Sequence, residues 1–172
     1  CGVASALHAL MRDLDIPVVV KETGAGISAK TAERLVAMGA AAIDVAGAGG
    51  ANWGLIEGER STTDHDRDHA LAFAGWGIPT ARAIAEVRNA LPDVLLIGSG
   101  GVRDGVDAAK AIRLGADLVG VASGVIKAAT QSTDDVVAVF ETMARQLRTV
   151  CFCVNASSLA TLKRAPLIRA EP

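Results

Sequence analysis

The sequence predicts an α/β fold, and more specifically half of a (β/α)8 barrel, a TIM barrel in which parallel strands alternate with helices. Apolar strand-like segments and helical segments follow one another four times along the 172 residues, an alternation typical of right-handed crossovers in a parallel sheet. Two neighbouring strands each end in small residues, near positions 98–101 and 120–124. Barrels commonly bind phosphate beyond their last two strands, so these glycines favour a barrel over an open doubly wound sheet.

The individual elements have their own start and stop signals. In the first unit an apolar strand at 16–22 and a turn at 23–26 lead into a helix over 28–38, with Ser28 as its N-cap and Gly39 as its stop. The other predicted elements are a helix at 4–11, strands at 41–46, 94–98 and 118–121, helices at 80–90, 105–114 and 133–149, and a closing helix near 159–163. A polar loop is predicted over about 57–68. Residues 1–172 then form a single partial barrel domain of about four βα units with C-terminal helices.

Composition and charge exclude several classes of protein. Seventeen Lys and Arg stand against nineteen Asp and Glu, a net charge of −2, so nothing suggests a partner such as nucleic acid or an anionic membrane surface. No apolar run has the length of a membrane span and the first residues lack the features of a signal peptide, so we expect a cytoplasmic protein. The three cysteines, at positions 1, 151 and 153, lack partner ligands for a zinc site or a disulfide framework.

A phosphate site is predicted where two strands end in small residues. The segment 98–103, Gly-Ser-Gly-Gly-Val-Arg, follows one strand, and Ala122-Ser123 follow the next. Glycine lets the backbone approach an anion closely, and the amides at the start of the following helix supply donors and a positive dipole end. Arg103 could reach the same phosphate or cap the sheet.

Four further residues follow the first two strands and could act in chemistry. Lys21 ends an apolar strand and could donate to an electron-rich ring or an anionic substrate, or it could pair with Glu22 or solvent at the rim. The glycine-rich segment 47–50, followed by Asn52 and Trp53, could lie against a flat ligand, although a flexible loop and a Trp that plugs the barrel mouth are equally compatible. Glu57 could serve as an acid or base in a dry site.

The run at 64–69, Asp-His-Asp-Arg-Asp-His, alternates acidic residues with histidines. We interpret it as a solvated lid whose charges screen one another, with a metal site as the less favoured alternative. No metal ligand is assigned from the sequence.

Four segments, in order, resemble the flavin-dependent type 2 isopentenyl diphosphate isomerases. They are 18–22, 43–53, 73–80 and 98–103, and the segment Gly-Trp-Gly-Ile-Pro-Thr at 75–80 is the most specific. The resemblance covers about 17–123. It implies the C-terminal half of an FMN-binding barrel that interconverts isopentenyl and dimethylallyl diphosphate, small-molecule substrates, with FMN, Mg²⁺ and NADPH as cofactors. The reduced flavin itself is thought to move the proton in such enzymes.

The resemblance also implies roles for individual residues. The flavin ring would contact Lys21, the substrate pocket would be bordered by Trp53 and Glu57, and the FMN phosphate would be held by Gly100, Gly101, Val102, Arg103, Ala122 and Ser123. Ala51 replaces a hydroxyl residue that the family usually has beside the flavin, so Asn52 is expected to compensate. The family's metal-binding Gln-Glu pair belongs upstream of Cys1, so we expect the N-terminal half to be absent and the chain alone to be inactive.

Two alternatives stay open at this point. An FMN-dependent 2-hydroxy acid oxidase or dehydrogenase shares the strand-end lysine and the Gly-Gly phosphate site, but it expects a catalytic His and Arg after the glycine-bearing strand, and Asn52 and Trp53 stand nearby instead. A half-barrel that binds phosphate or flavin without catalysis is the other alternative. Because the strands at 18–22 and 118–121 would be open edges, we expect the chain to associate as a homo-oligomer.

Overall fold

Four parallel strands and the helices between them make up the computed structural model, which describes residues 2–168. The strands are β1 Val19–Lys21, β2 Ala42–Asp44, β3 Leu95–Gly98 and β4 Leu118–Val119. The helices are α1 Val3–Asp13, α2 Ala29–Ala37, α3 Trp53–Arg60, α4 Asp64–Leu71, α5 Thr80–Ala90, α6 Gly105–Leu114, α7 Ser123–Ala129, α8 Thr133–Cys153 and α9 Leu159–Leu162. Cys1 lies outside the described residues.

The strand order confirms the predicted half-barrel. The four strands lie side by side in the order β1-β2-β3-β4, and every pairing is parallel. A doubly wound sheet reverses its strand order at a switch point, whereas a barrel adds each strand beside the previous one. Within residues 2–168, β1 pairs only with β2 and β4 only with β3.

The two faces of the sheet differ in burial. Ile43 of β2 and Leu96 of β3 are fully buried, in one core cluster with residues of α2, α5 and α6. Val19, Leu95 and Leu118 point to the opposite face and are 49%, 44% and 54% exposed. Helices therefore cover one face, as in a barrel wall, and the other face is the one that would line a barrel interior.

Local signals in the sequence place several helix ends correctly. The hydroxyl of Ser28 accepts a hydrogen bond from the Thr31 amide at 3.2 Å, which confirms the predicted N-cap of α2. Gly39, with φ of +111°, follows the end of α2. Asp104 caps α6 by accepting from the amides of Val106 and Asp107, each at 2.9 Å. The strands are two to four residues long, shorter than predicted.

The predicted polar loop over 57–68 is wrong, because α3 and α4 occupy that region. Asn52 caps α3 and Thr63 caps α4, each accepting a hydrogen bond from an amide in the first turn, at 3.1 Å in both cases. Gly58 is buried where the two helices meet. The two caps and the close contact of the helices at Gly58 stabilise α3 and α4 despite their polar composition. Asp64 and Asp66 stabilise the start of α4 further, because their negative charges lie at the positive end of its dipole.

Two other differences concern the C-terminal part. Helix α7 is absent from the prediction, and α8 continues to Cys153 instead of ending near 149. Cys151 and Cys153 are free thiols. Within residues 2–168, none of the helices is both long and apolar enough to traverse a bilayer.

Asp117 links three elements at the amino edge of the sheet, just before β4. Its Oδ2 accepts from the Arg88 guanidinium at 2.6 Å and from the Leu96 amide at 3.0 Å, and its Oδ1 accepts from Lys163 at 2.5 Å. Burial by itself would raise the pKa of Asp117, but the hydrogen bonds from Lys163 and Leu96 and the two positive charges outweigh burial and lower the pKa. This cluster attaches α5 and the segment after α9 to the sheet.

Candidate functional site

A cavity of about 210 Å³ lies at the carboxyl ends of the four strands. Six residues predicted for the cofactor site line it, namely Lys21, Gly100, Gly101, Val102, Ala122 and Ser123. Pockets that enclose a small ligand usually measure about 300 to 1,000 Å³. The described residues therefore form one wall of a larger site.

Two glycine segments shape this wall by packing backbone against backbone. Gly100 and Gly101 have φ of +104° and +77°, a region that side chains disfavour. A Cβ atom on Gly101 would overlap the carbonyl group of Gly49, and one on Gly100 would overlap the carbonyl oxygen of Gly47. Thr80 fixes the segment by donating its hydroxyl proton to the Gly100 carbonyl at 2.6 Å. The cavity backbone at Gly100 and Gly101 therefore carries no side chains.

The two helices after these strands differ in the donors they offer. The first amides of α6 are already bonded to the Asp104 carboxylate. At α7 the N-cap is Ala122, whose side chain makes no capping bond. The sequence predicted equivalent roles for both helix starts, but only the start of α7, at Ser123, has amides left without a side-chain cap.

Lys21 and Glu22 have separate partners. Lys21 is exposed, and its Nζ donates to the backbone carbonyl of Glu22 at 2.7 Å. The Glu22 carboxylate accepts instead from the amides of Gly24 and Ala25 at 2.5 Å and of Gly26 at 3.1 Å. Burial by itself would raise the pKa of Glu22, but these amides outweigh it and lower the pKa. Glu22 therefore holds the turn after β1, and the Lys21 ammonium has no carboxylate partner within 4 Å in the described residues.

Sequence reasoning did not single out the side chains of Asp44 and Ser99, which line the cavity. Both are 7% exposed, and the Ser99 hydroxyl donates to Asp44 Oδ1 at 2.5 Å. The same oxygen accepts from the Ala46 amide at 3.2 Å, and Ala46 has a left-handed φ of +36°. An acidic residue inside the otherwise apolar segment 41–46 was the signal that could have identified the site.

Three predicted residues on or before α3 lie outside the cavity wall. Asn52 uses both ends of its amide, accepting from Leu55 and donating to the Ala74 carbonyl at 2.6 Å. Trp53 is 51% exposed and donates its Nε1 proton to the carbonyl of Thr23, a cavity residue, at 2.8 Å. Trp53 therefore lies at the rim. Glu57 is 63% exposed and its nearest cation is Arg60 at 3.7 Å.

Arg103 also lies apart from the glycine-lined cavity. Its side chain is exposed, and it lines two neighbouring surface grooves. Its amide donates to Asp107 Oδ2 at 3.4 Å. In this arrangement the backbone before Arg103, rather than its guanidinium, faces the cavity.

The family is decided by comparison over nearly the whole chain. Residues 4–169 match the family described as FMN-dependent dehydrogenase. The chain belongs to this family. All the cavity-lining residues fall inside the matched range.

Two relatives confirm the resemblance found from the sequence motifs. The isopentenyl-diphosphate delta-isomerase of Xanthobacter autotrophicus is 58% identical over 166 residues, which are 96% of this chain and 48% of that protein. The enzyme of the same name from Stutzerimonas stutzeri is 55% identical over 98% of this chain and 49% of its own length. The chain therefore spans about half the length of these relatives.

Solved structures confirm the fold. A lactate oxidase from Pediococcus acidilactici matches with a TM-score of 0.73 and 24% identity, over 98% of this chain and 41% of that one. A mandelate oxidase with benzoyl-formic acid matches with a TM-score of 0.70 and 24% identity, over 95% of this chain and 42% of that one. This chain therefore corresponds to less than half of each solved structure.

The described residues fit FMN, the cofactor of the family. The bare backbone of Gly100 and Gly101 and the uncapped start of α7 suit a phosphate group. Lys21 supplies a cation at the other end of the same cavity. An anionic group at one end and an electron-rich ring at the other would meet complementary partners.

No such fit exists for a metal ion within residues 2–168. That part of the chain contains no group of three or more His, Cys, Asp and Glu residues arranged to hold one. The run at 64–69 belongs to α4, where all six side chains are exposed. Its acidic and histidine residues therefore face solvent along a surface helix.

Proposed function

We propose that a barrel completed around this chain is an isopentenyl-diphosphate delta-isomerase, which interconverts isopentenyl and dimethylallyl diphosphate with reduced FMN. The observation that supports this best is the 58% identity to an enzyme of that name over 96% of the chain. The 2-hydroxy acid oxidases share the fold at 24% identity. Such an oxidase would require a catalytic His and Arg after the glycine-bearing strand, and positions 47–56 contain neither residue type.

The chain's own residues would bind and orient the cofactor. Lys21 would donate a hydrogen bond to the flavin ring, and the backbone at 100–103 together with Ala122 and Ser123 would hold the phosphate. Reduced FMN supplies the proton-transfer chemistry when it is bound. Arg103 would add positive charge near the phosphate after a change of rotamer, and Asn52 would hold α3 in place beside the cofactor.

The substrate side of the site involves α3. Trp53 and Glu57 would border the pocket for the diphosphate substrate, and both are exposed in the half-barrel. In a complete barrel, the rest of the wall would exclude water from the Glu57 carboxyl. A carboxyl in such an environment can act as a general acid or base. Mg²⁺ would neutralise the diphosphate, with ligands outside the described residues, and NADPH would reduce the flavin.

The open strands also bear on assembly. An isolated half-barrel exposes the edges of β1 and β4 and the apolar side chains of Val19, Leu95 and Leu118. These features would drive association with another chain. We therefore expect the chain by itself to associate as a homo-oligomer, and we expect the complete enzyme to be cytoplasmic.

The test uses a hybrid barrel in which this chain replaces the matching segment of the Xanthobacter autotrophicus relative. Conversion of isopentenyl to dimethylallyl diphosphate is followed with FMN, NADPH and Mg²⁺. Lys21→Met should lower kcat/KM at least about tenfold because it removes a charged donor. Lys30→Met, at an exposed position of α2, is the matched control and should have no effect. A hybrid that oxidises lactate or mandelate instead of isomerising would overturn the proposal.

A further inference from the structure

The carboxyl of Asp44 lines the cavity and has no role in the proposed function. It ends β2 and lies in register with Lys21 of β1 and Ile97 of β3, on the face that would line the barrel interior. At 7% exposure it is one of the two buried polar residues of the described chain. A buried carboxylate is costly unless its oxygens have partners.

Only one of the two oxygens has partners in the described part of the molecule. Oδ1 accepts from the Ser99 hydroxyl and the Ala46 amide, and no described residue donates to Oδ2. No side-chain oxygen within residues 2–168 is both fully buried and unpartnered. Oδ2 must therefore be reachable from the cavity that Asp44 lines.

The surroundings keep Oδ2 open. Lys21 lines the same cavity but forms no ion pair with Asp44 within 4 Å. Gly120 of the neighbouring segment has no side chain, and a Cβ atom there would lie 2.7 Å from Ser99 Cβ and 3.9 Å from Asp44 Oδ2. A larger residue would displace Ser99 and cover the free oxygen. The site thus presents one acceptor to a ligand.

The chemistry of FMN limits what that acceptor can bind. A phosphate group carries negative charge and is repelled by a carboxylate, whereas a hydroxyl donates to it. Along the sheet, Asp44 lies between Lys21 on β1 and the phosphate-suited segments after β3 and β4. In FMN, the polyol chain with its hydroxyls lies between the ring and the phosphate.

We propose that Asp44 is a cofactor-binding residue whose Oδ2 accepts a hydrogen bond from a hydroxyl of the FMN polyol chain. The proposal rests on the FMN site of the proposed function and not on the isomerase reaction. Ser99 and the Ala46 amide fix the carboxyl by holding Oδ1. The left-handed turn at Ala46 is held by the same oxygen.

The test compares two flavins in the hybrid barrel, by fluorescence titration of the apoprotein. One is FMN, and the other has the same ring and phosphate joined by a pentyl chain without hydroxyls. The wild type should prefer FMN by about tenfold or more, the value of a hydrogen bond to a charged group. Asp44→Asn keeps an oxygen for Ser99 and Ala46 but removes the charge, so the preference should fall severalfold. Asp117→Asn makes the same change at the opposite edge of the sheet and should retain the preference.

The outcomes separate this contact from other roles. An equal loss of affinity for both flavins in Asp44→Asn shows a purely structural role and overturns the proposal. Absence of FMN binding to the wild-type hybrid and to a second hybrid built on the Stutzerimonas stutzeri relative overturns both the contact and the proposed function. A flavin preference that depends on Asp44, without isomerase activity, supports the contact and overturns the isomerase alone.

Discussion

The two edges of the sheet each contain an acidic residue, but their environments are opposite. Asp117 at the amino edge accepts hydrogen bonds on both oxygens and binds two cationic side chains. Asp44 at the carboxyl edge is more deeply buried, yet one of its oxygens has no donor among the described residues. Full pairing indicates a structural role, and incomplete pairing beside a cavity indicates a ligand.

The backbone conformation also differs between the carboxyl edge and the amino edge of the sheet. At the carboxyl edge Ala46 has a φ of +36°, a conformation that costs free energy for a residue other than glycine. At the amino edge Gly115, with φ of +123°, ends α6, and its carbonyl accepts from Arg88 at 2.8 Å. In barrels the carboxyl edge serves function and the amino edge serves stability.

The largest effect is expected at Gly101. Gly101→Ala would force a side chain into a left-handed conformation and against the Gly49 carbonyl. In the hybrid barrel it should abolish FMN retention and cost about 3 kcal/mol of the free energy of unfolding. Flavin content and urea titration measure the two effects. Gly75→Ala is the control, because no atom lies within 4 Å of its Cβ position; equal behaviour of both variants contradicts the prediction.

A smaller effect, confined to stability, is expected at Asp117. Asp117→Ala leaves Arg88, Lys163 and the Leu96 amide without their acceptor, which should cost about 2 kcal/mol of the free energy of unfolding. The affinity for FMN should stay within about threefold of the wild type, since the site lies at the opposite edge. Urea titration and flavin titration measure the two quantities. A large loss of FMN affinity in Asp117→Ala would show that the amino edge also serves the cofactor site.

The stability that Asp117 contributes should depend on pH. Asp117 has a pKa below its ordinary value of 3.8 in the folded state, so the folded state binds fewer protons there than the unfolded state. The stability it contributes is fully present above the unfolded pKa and is lost as pH falls through the folded one. The wild type should exceed Asp117→Asn in free energy of unfolding at pH 7, and this advantage should shrink below about pH 4. An advantage that grows on acidification contradicts the assignment.

The smallest effect on stability is expected at Glu57. Because its side chain is 63% exposed and pairs loosely with Arg60, Glu57→Gln should change the free energy of unfolding by less than about 0.5 kcal/mol. The kcat for isomerisation should nevertheless fall about tenfold or more, as the loss of an acid–base group predicts. Glu59→Gln, exposed on the same helix, should preserve both. Identical kcat values for Glu57→Gln and Glu59→Gln would show that Glu57 does not act in the reaction.

The sequence predicted those features that depend on local chemistry. Ser28 and Gly39 act on backbone within a few residues of themselves, so their types and spacing were sufficient to predict the ends of α2. Helices α3 and α4 were missed because their polar composition hid the caps at Asn52 and Thr63. Their stability comes from packing against each other around Gly58, which a single-sequence pattern does not contain.

The candidate site was predicted in part for the same reason. Glycines and a strand-end lysine are visible as residue types after strands, and the structure gathers them in one cavity. The pair of Asp44 and Ser99 joins residues 55 positions apart. Such a contact depends on strand register, which the apolar segments alone did not fix. The positions of Asn52 and Arg103 outside the cavity wall were likewise not predictable from the sequence.

The sequential strand order also has a kinetic consequence. Pairing of β1 with β2 closes the chain between positions 19 and 42, and pairing of β3 with β4 closes it between 97 and 118. Pairing of β2 with β3 must close positions 42 to 95, more than twice as far, because α3 and α4 are inserted there. The longer closure costs about 0.7 kcal/mol more chain entropy. The two outer βα pairs should therefore assemble independently, and their docking through the central strands should be the slow step of folding.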